Sequence, residues 1–191
     1  GERLSETLRE RLGARDVKIG CNAGDCGACS VLVEGKLHCA CLMPVQKVQG
    51  RLVETVAGLL ATDARAQRLA DSFQNHAAAQ CGFCTPGMMV ASVALLRDNP
   101  TPSEAEITQA LGGVLCRCTG YRKIIDAVAD APHAQAAAGA GHAGAAIRRL
   151  DGAAKVAGAE SFGDDIAPAG TLEILVIRAP HPHAAFAFGD L

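Results

Sequence analysis

Nine cysteines in close-set groups constrain this chain more than any other feature of its sequence. The closest pairs are Cys39–Cys41, Cys81–Cys84 and Cys116–Cys118. Neighbouring thiols of this kind suit a compact centre that binds several thiolates at once, rather than a set of disulfides. A chain of 191 residues rich in alanine also lies outside the class of small disulfide-stabilised secreted proteins. Because the count is odd, at least one thiol is spare under either interpretation.

Composition excludes several classes of function. The net charge of −2 and the isoelectric point near 6.3 give no basic surface for nucleic acid or anionic lipid. The longest apolar run, Met88–Leu96, is far shorter than the roughly 18 residues that a membrane span needs. The opening residues, Gly1–Leu4, do not resemble a signal peptide. We therefore expect no membrane span and a cytoplasmic location, with the periplasm as the alternative.

The first thiol group has the spacing Cys21-x4-Cys26-x2-Cys29, followed by a fourth cysteine further along. This spacing is the plant-type signature of a 2Fe–2S cluster. The glycines within it allow a backbone to wrap closely around a negatively charged cluster. The fourth ligand is either Cys39 or Cys41, and we choose Cys41. Structural zinc is the alternative metal, although zinc sites usually come as two short Cys-x2-4-Cys arms.

The second thiol group combines Cys81-x2-Cys84 with Cys116-x-Cys118. Taken alone, the first pair could be a thioredoxin-like dithiol or half of a zinc site. A dithiol of that kind belongs to a βαβ context, whereas this pair opens a helix in a helical region. Both pairs are predicted at helix N-termini, whose free N–H groups favour negative charge. The four thiols therefore predict a second 2Fe–2S cluster.

Hydrophobic periodicity divides the chain into four parts. Residues 1–62 mix a short helix with strands, including a hairpin about Glu34–Gly35 and a second β pair about Gln49–Gly50. Residues 63–130 are helical, with caps and stops for four helices. Residues 131–147 are mostly Ala, Gly and His and predict an interdomain linker. Residues 148–191 contain one convincing strand, at 172–177, and predict the start of a further domain.

Three stretches together resemble one known family. They are Gly20-Cys-Asn-Ala-Gly-Asp-Cys-Gly-Ala-Cys29, Gln80-Cys-Gly-Phe-Cys-Thr-Pro-Gly-Met88 and Leu115-Cys-Arg-Cys-Thr-Gly-Tyr-Arg122. Their order and spacing over residues 1 to about 130 are similar to the iron–sulfur module of the xanthine oxidase family of molybdenum hydroxylases. The motifs Arg149-Leu-Asp-Gly152, Lys155-Val-x-Gly158 and Arg178-Ala-Pro-His-Pro-His183 resemble the beginning of that family's molybdopterin-binding part.

The resemblance implies an α+β fold. A plant-type, ferredoxin-like (β-grasp) domain would occupy residues 1–62, and a small all-α, four-helix 2Fe–2S domain would occupy residues 63–130. The linker and a β-containing segment would follow. The family's domain opens with a β-hairpin that this sequence lacks, and the sequence stops just inside the molybdenum part. We expect a piece of a longer polypeptide, or a split gene that supplies the rest.

The resemblance also implies a function and a set of ligands. Cys21, Cys26, Cys29 and Cys41 would hold the plant-type cluster, and Cys81, Cys84, Cys116 and Cys118 the helical one. Gln80 and Cys118 would contact the pterin of a molybdenum cofactor bound mainly by another domain or chain. Electrons would pass from that cofactor through both clusters to FAD on a partner chain, or to another acceptor.

The catalytic residues would lie outside this chain, in an oxidoreductase that acts on purines, aldehydes or N-heteroaromatic compounds. Two alternatives remain at this point: a structural zinc-binding module, and a stand-alone ferredoxin-like electron carrier.

Overall fold

The computed structural model describes residues 1–136, 142–143, 147–172, 174, 176–187 and 189. Residues 137–141 and 144–146, nearly half of the predicted linker, lie outside the described part. The chain separates into two compact units, Gly1–Glu160 and Ser161–Leu191. In the second unit the described residues include one 3-10 turn, Gly163–Asp165. The predicted strand at 172–177 falls partly outside the described residues, and Leu172, Ile174, Val176 and Ile177 are exposed there.

The larger unit begins with a short helix, α1 (Leu4–Glu6), which continues as a π-helical turn over Thr7–Arg11. Leu4 and Leu8 are buried one turn apart, as the apolar spacing predicts. The helical segment ends before Gly13, whose φ of 68° is the left-handed conformation common after helices.

A small antiparallel sheet follows, made of β1 (Ser30–Val33), β2 (Lys36–Cys39) and β3 (Val53–Glu54) in the order β2-β1-β3. The predicted hairpin is present, and Glu34 and Gly35 both have positive φ angles of 51° and 76°. Positive φ at both central residues is the geometry of a tight two-residue hairpin turn.

The predicted second β pair about Gln49–Gly50 is wrong. Val45–Val48 form a 3-10 turn that starts at Pro44, and Val53 pairs with Val33 of β1 instead. The open edge of β1 attracts this segment, because the Glu34 N–H donates to the Leu52 carbonyl oxygen at 3.0 Å. Val53 therefore pairs with the distant strand β1 and not with the neighbouring residues 45–48.

Five helices follow the sheet. Helix α2 (Val56–Thr62) precedes the predicted helical region 63–130, which contains α3 (Ala64–Asn75), α4 (Thr85–Asp98), α5 (Glu104–Leu111) and α6 (Arg122–Asp130). Asp63 caps α3 by accepting from the Arg65 N–H at 2.8 Å, and Ser103 and Glu106 form the predicted capping box of α5. Helix α4 is buried over most of its length and is the centre of the packing. The model therefore confirms a mixed helix-and-sheet fold.

Strand β1 connects the two apolar cores of the larger unit. Because strand side chains alternate between faces, Val31 and Val33 pack with Leu4 and Leu8 in one core. Leu32 points the other way and packs into the core of the helical region, on the side of α4. All three strand residues are fully or almost fully buried, so the sheet has no solvent-facing side at β1.

A seventh helix, α7 (Gly152–Val156), belongs to the same unit and packs against α3 and α4. Val156 is buried in the helical core, although it lies beyond the predicted linker. Among the described residues, no helix is both long and apolar enough to cross a membrane.

Candidate metal centres

The first thiol group lies at one end of the hairpin. Cys21, Cys26 and Cys29 lie on the loop that leads into β1, and Cys41 lies in a 3-10 turn directly after β2. The strand register pairs Ser30 with Cys39, so the residues flanking the hairpin ends are brought together. As a result the Cys41 N–H donates to the Cys29 sulfur at 3.5 Å.

The loop presents its backbone N–H groups to the sulfur of Cys21. The N–H groups of Ala23, Asp25 and Cys26 donate to this sulfur at 3.3, 3.3 and 3.4 Å. These hydrogen bonds, led by that of Ala23, lower the pKa of Cys21 to about 6. The exposed Cys21 sulfur therefore lies in a cradle that stabilises a thiolate, which is the form that binds metal.

Cys29 shows the opposite environment at the same site. It is 2% exposed, and burial raises the pKa of its thiol to about 12. The hydrogen bond from the Cys41 N–H opposes this rise, whereas the Cys41 thiol adds to it. A thiolate buried at this position needs a positive charge beside it. A bound metal centre provides that charge and keeps its sulfur ligands deprotonated. The donor set of this group, four thiols beside inward-pointing N–H groups, fits an iron–sulfur cluster.

Cys39 lies beside the same group as a fifth thiol. Its sulfur is 3.9 Å from the Gly24 carbonyl oxygen, and burial together with the neighbouring Cys41 raises its pKa. Cys41 is buried, whereas Cys39 is half-buried. The choice of Cys41 as the fourth ligand stays a prediction.

The second thiol group is assembled from two separate segments. Cys81 and Cys84 immediately precede α4, while Cys116 and Cys118 lie in the loop between α5 and α6. The thiol of Cys84 lies close to that of Cys116, and the thiol of Cys81 lies close to that of Cys118. The structure thus brings together all four thiols that the sequence assigns to this group.

The second group, like the first, combines exposed thiols with thiols that are more buried. Burial raises the pKa of Cys84, and the neighbouring Cys116 adds to the rise. Burial would also raise the pKa of Cys116, but hydrogen bonds from Thr119 outweigh burial and leave this pKa lowered. Cys81 and Cys118 are exposed. The first cysteine pair lies at the N-terminus of α4, as predicted, and Cys84 is the N-cap. The second pair does not begin a helix, because α6 begins only at Arg122.

Tyr121 holds the loop that carries the second pair. Its hydroxyl accepts from the Cys116 N–H at 2.9 Å and donates to the Val114 carbonyl oxygen at 3.4 Å. Its own backbone has a φ of 66° and its N–H donates to Thr119 Oγ1 at 3.1 Å. Sequence reasoning gave Tyr121 no part in the site, so this role was missed. A lone tyrosine between two cysteine motifs carries no signal that would reveal it.

The two thiol groups are in direct backbone contact. The Leu115 N–H, next to Cys116, donates to the Cys26 carbonyl oxygen at 2.9 Å. A Cβ on Gly27 would lie 2.1 Å from the Gly113 carbonyl oxygen, and one on Gly87 would lie 2.5 Å from the Gly27 carbonyl oxygen. Glycine is therefore needed at Gly27 for this contact as well as for the turn of the cysteine loop.

Gln80 lies at the exposed edge of the second group, directly before Cys81. Its carbonyl oxygen accepts from Arg149 Nη1 at 3.1 Å. Gln80 and Cys118 are both exposed, and the contact between Cys81 and Cys118 places the two on the same side of the group. Within the described residues, no group of three or more His, Cys, Asp or Glu side chains is arranged to hold a single metal ion.

Comparison with known proteins identifies the family. A family model described as a [2Fe-2S] binding domain matches residues 55–129, which contain the whole second thiol group. The nicotine 6-hydroxylase small subunit of Paenarthrobacter nicotinovorans is 42% identical over 131 residues, or 69% of this chain and 78% of that subunit. The chain belongs to the iron–sulfur components of the xanthine oxidase family of molybdenum hydroxylases.

Two longer proteins extend the match of this iron–sulfur component beyond the thiol groups. The aldehyde oxidoreductase of Megalodesulfovibrio gigas is 35% identical over 95% of the chain. The crystal structure of the aldehyde oxidoreductase from Desulfovibrio desulfuricans ATCC 27774 superposes with a TM-score of 0.78, at 34% identity over 86% of the chain. The chain spans only 22% and 20% of these two proteins. Its own part is that of an electron-transferring component of a molybdenum-dependent oxidoreductase.

Proposed function

We propose that the iron–sulfur component carries two 2Fe–2S clusters in series. The plant-type cluster binds Cys21, Cys26, Cys29 and Cys41, and the helical cluster binds Cys81, Cys84, Cys116 and Cys118. The clusters supply one-electron redox chemistry, and the chain holds them at a constant separation. We call the two sets of residues the loop site and the helical site.

The hydrogen bond between Leu115 and Cys26 is the observation that carries this proposal. Cys26 is a ligand of the loop site, and Leu115 precedes Cys116 of the helical site, so one hydrogen bond completes a bonded route between the sites. Electron transfer between metal centres is faster through bonded contacts than through gaps. Phe83 adds a packing contact, since a Cβ on Gly20 would lie 3.4 Å from its ring and 2.9 Å from the Cys26 sulfur.

The proposed route of electron flow uses the exposed edges of both sites. We propose that a molybdenum cofactor, bound mainly by another domain or chain, lies against the exposed edge formed by Gln80 and Cys118. When bound, that cofactor supplies the oxidation of the organic substrate. The loop site then delivers electrons, through its exposed Cys21 edge, to FAD on a partner chain or to another acceptor. The predicted linker 131–147 is too short to contain a flavin domain.

The wider assignment rests on the relatives. Nicotine 6-hydroxylase and aldehyde oxidoreductase support a partner enzyme that hydroxylates or dehydrogenates N-heteroaromatic compounds or aldehydes. Purines complete the proposed range of substrates. We further propose a ferredoxin-like (β-grasp) domain over residues 1–62 and a four-helix domain over residues 63–130. Residues 148–191 would open the molybdopterin-binding domain. A cytoplasmic location completes the proposal.

Electron paramagnetic resonance of the partially reduced complex tests the proposal. Because the two sites differ in burial and hydrogen bonding, their reduction potentials and signals should differ. We expect iron and labile sulfide for two clusters per chain, and two 2Fe–2S signals of comparable intensity. A colourless protein that contains zinc would contradict the electron-transfer assignment. A single signal that integrates to one cluster would contradict the two-site assignment.

The pterin contact needs a separate measurement. Gln80→Ala should alter the signal of the molybdenum centre and its magnetic interaction with the helical site, while the loop-site signal stays unchanged. Gln67→Ala, at an exposed position of α3, is the matched control and should change neither signal. Equal spectra for the wild type and Gln80→Ala would place the cofactor elsewhere.

A further inference from the structure

The segment that carries α7 lies directly against the loop of the helical site. Arg149 Nη1 donates to the Ala79 and Gln80 carbonyl oxygens at 3.0 and 3.1 Å, immediately before Cys81. Gly82, between the cysteines, has a φ of 92° and is covered by the side chain of Lys155. A Cβ on Gly82 would lie 2.7 Å from Lys155 Cγ, so the lysine crosses the backbone of the cysteine loop.

Three charges are concentrated in this contact. The Asp151 carboxylate accepts from Lys155 Nζ at 2.6 Å and from Arg149 Nη2 at 2.7 Å. The hydrogen bond from Lys155, followed by that from Arg149, holds the pKa of Asp151 below its ordinary value. Two cations and one anion leave an excess positive charge beside the cysteine loop. Lys155 is only 8% exposed, so water screens its charge weakly.

A charge in this place acts on the reduction of an anionic cluster. Four thiolates give a 2Fe–2S cluster a net negative charge, and reduction adds one more electron. A nearby positive charge stabilises the reduced form more than the oxidised form and therefore raises the reduction potential. Removing the positive charge lowers the potential, and removing the negative charge of Asp151 raises it.

We propose that Lys155 sets the reduction potential of the helical site and that Asp151 partly offsets it. The inference rests on the proposed function, because it assigns a cluster to Cys81, Cys84, Cys116 and Cys118. It adds a contribution from beyond the cysteine region, from a segment on the far side of the predicted linker. The substitution Lys155→Met separates the charge of Lys155 from its packing, because it keeps an alkyl chain over Gly82 and removes the positive charge.

The test is a redox titration of the full complex, followed by electron paramagnetic resonance. The signal that weakens in Cys84→Ser identifies the helical site. In Lys155→Met, the ratio of reduced to oxidised helical site at a fixed potential should fall about threefold to tenfold, where tenfold corresponds to about 59 mV for a one-electron couple. Asp151→Asn should move the same ratio in the opposite direction. The loop-site signal should titrate as in the wild type in both variants.

Two further variants separate charge from packing. Lys155→Arg keeps the charge and should retain the wild-type potential, and Lys36→Met removes an exposed lysine of β2 and should leave the helical site unchanged. Unchanged titrations in Lys155→Met and Asp151→Asn would overturn the inference, as would shifts of the same sign. If Lys155→Met loses its helical cluster, Asp151→Asn becomes the deciding variant. A raised reduction potential of the helical site in Asp151→Asn would support the inference, and an unchanged potential would overturn it. Absence of two clusters in the wild type would instead refute the proposed function.

Discussion

The loop site and the helical site solve the same chemical problem in different ways. The loop site takes three of its thiols from one glycine-rich loop, and a hairpin adds the fourth. The helical site joins two segments that are separated in sequence by α4 and α5. The first is therefore determined mainly by local backbone conformation, and the second by the packing of helices. Changes in turns should damage the loop site, and changes in packing should damage the helical site.

The sites nevertheless share one arrangement of exposure. Each has an exposed thiol, Cys21 or Cys81, and a more buried one, Cys29 or Cys84, whose pKa is raised by burial. A cluster bound in this way has one side towards solvent or a partner and one side towards the protein. The shared arrangement suits centres that receive electrons on one side and release them on the other.

The largest effect is expected from the ligands themselves. Cys41→Ser should abolish or strongly perturb the loop-site signal and leave the helical-site signal, because it removes the proposed fourth ligand, a buried thiol beside Cys29. Cys39→Ser should leave both signals at full intensity. Spin quantification of the reduced complex measures both. The reverse pattern would make Cys39 the fourth ligand.

Gly27→Ala should disturb the backbone contact that joins the loop site to the helical site. The added Cβ would lie 2.1 Å from the Gly113 carbonyl oxygen, at a residue whose φ is 65°, so both overpacking and backbone strain oppose it. We expect a loss of about 3 kcal/mol in the free energy of unfolding, together with altered signals from both sites. Chemical denaturation and electron paramagnetic resonance measure the two effects.

Gly58→Ala in α2 is the control for this substitution. A Cβ there would have nothing within 4 Å, and alanine favours a helix interior. The control should raise stability by about 0.5–1 kcal/mol and leave both signals unchanged. Equal stability of Gly27→Ala and the wild type would show that the contact with Gly113 is not close in solution.

Arg97 tests whether the sheet and the helical region unfold together. Its guanidinium donates to Glu54 of β3 at 2.9 and 3.0 Å and to Asp63, the cap of α3, at 3.0 Å. Arg97→Met leaves two carboxylates without this partner, and we expect a loss of about 1–3 kcal/mol. Arg122→Met removes exposed ion pairs and should cause no measurable change.

The effect of Arg97→Met should depend on pH. Burial raises the pKa of Asp63, but hydrogen bonds from the Arg65 N–H and from Arg97 outweigh burial and hold it below its ordinary value. A lowered pKa contributes stability that is complete above the ordinary value of about 4 and is lost as the pH falls through the lowered value. The difference in unfolding free energy between the wild type and Arg97→Met should therefore shrink under acid. A constant difference would exclude Asp63 as the titrating group.

The smallest effect is expected at Tyr121. Tyr121→Phe removes the hydroxyl that joins Cys116 to Val114, and should cost about 1 kcal/mol. The helical-site signal should change in shape while the loop-site signal stays as in the wild type. Changes in both signals would show that the loop holding Cys116 is coupled more tightly to Cys26 than to helix α6.

The thiol groups, the hairpin and helices α3 to α6 could be predicted because their signals are local. Cysteine spacing, the Glu34–Gly35 turn and the Ser103 capping box each act within a few residues. The pairing of β3 with β1 could not be predicted, since it depends on an edge that β2 leaves open far away in sequence. Helix α2 was missed as well, because it is only seven residues long and its glycine disfavours helix.

Within the sites, sequence reasoning found the residues but not their neighbours. Gly27 was expected to let the backbone approach a cluster, yet the nearest atom to its missing Cβ is the Gly113 carbonyl oxygen. Tyr121 and Lys155 act on cysteines through contacts that no spacing pattern encodes. Lys155 was noticed only as part of a motif, and its place over Gly82 depends on how α7 packs.

The hydrogen bond from Leu115 to Cys26 has a consequence for biosynthesis. Nearly half of the chain separates its two ends. While the polypeptide is still on the ribosome, the loop that bears Cys21, Cys26 and Cys29 lacks the backbone segment around Leu115 with which it forms this hydrogen bond. Its thiols therefore stay open until residue 115 has emerged and folded back. We expect iron and sulfide to be inserted into this loop only after translation has passed that point, so the cell must protect the exposed thiols in the meantime.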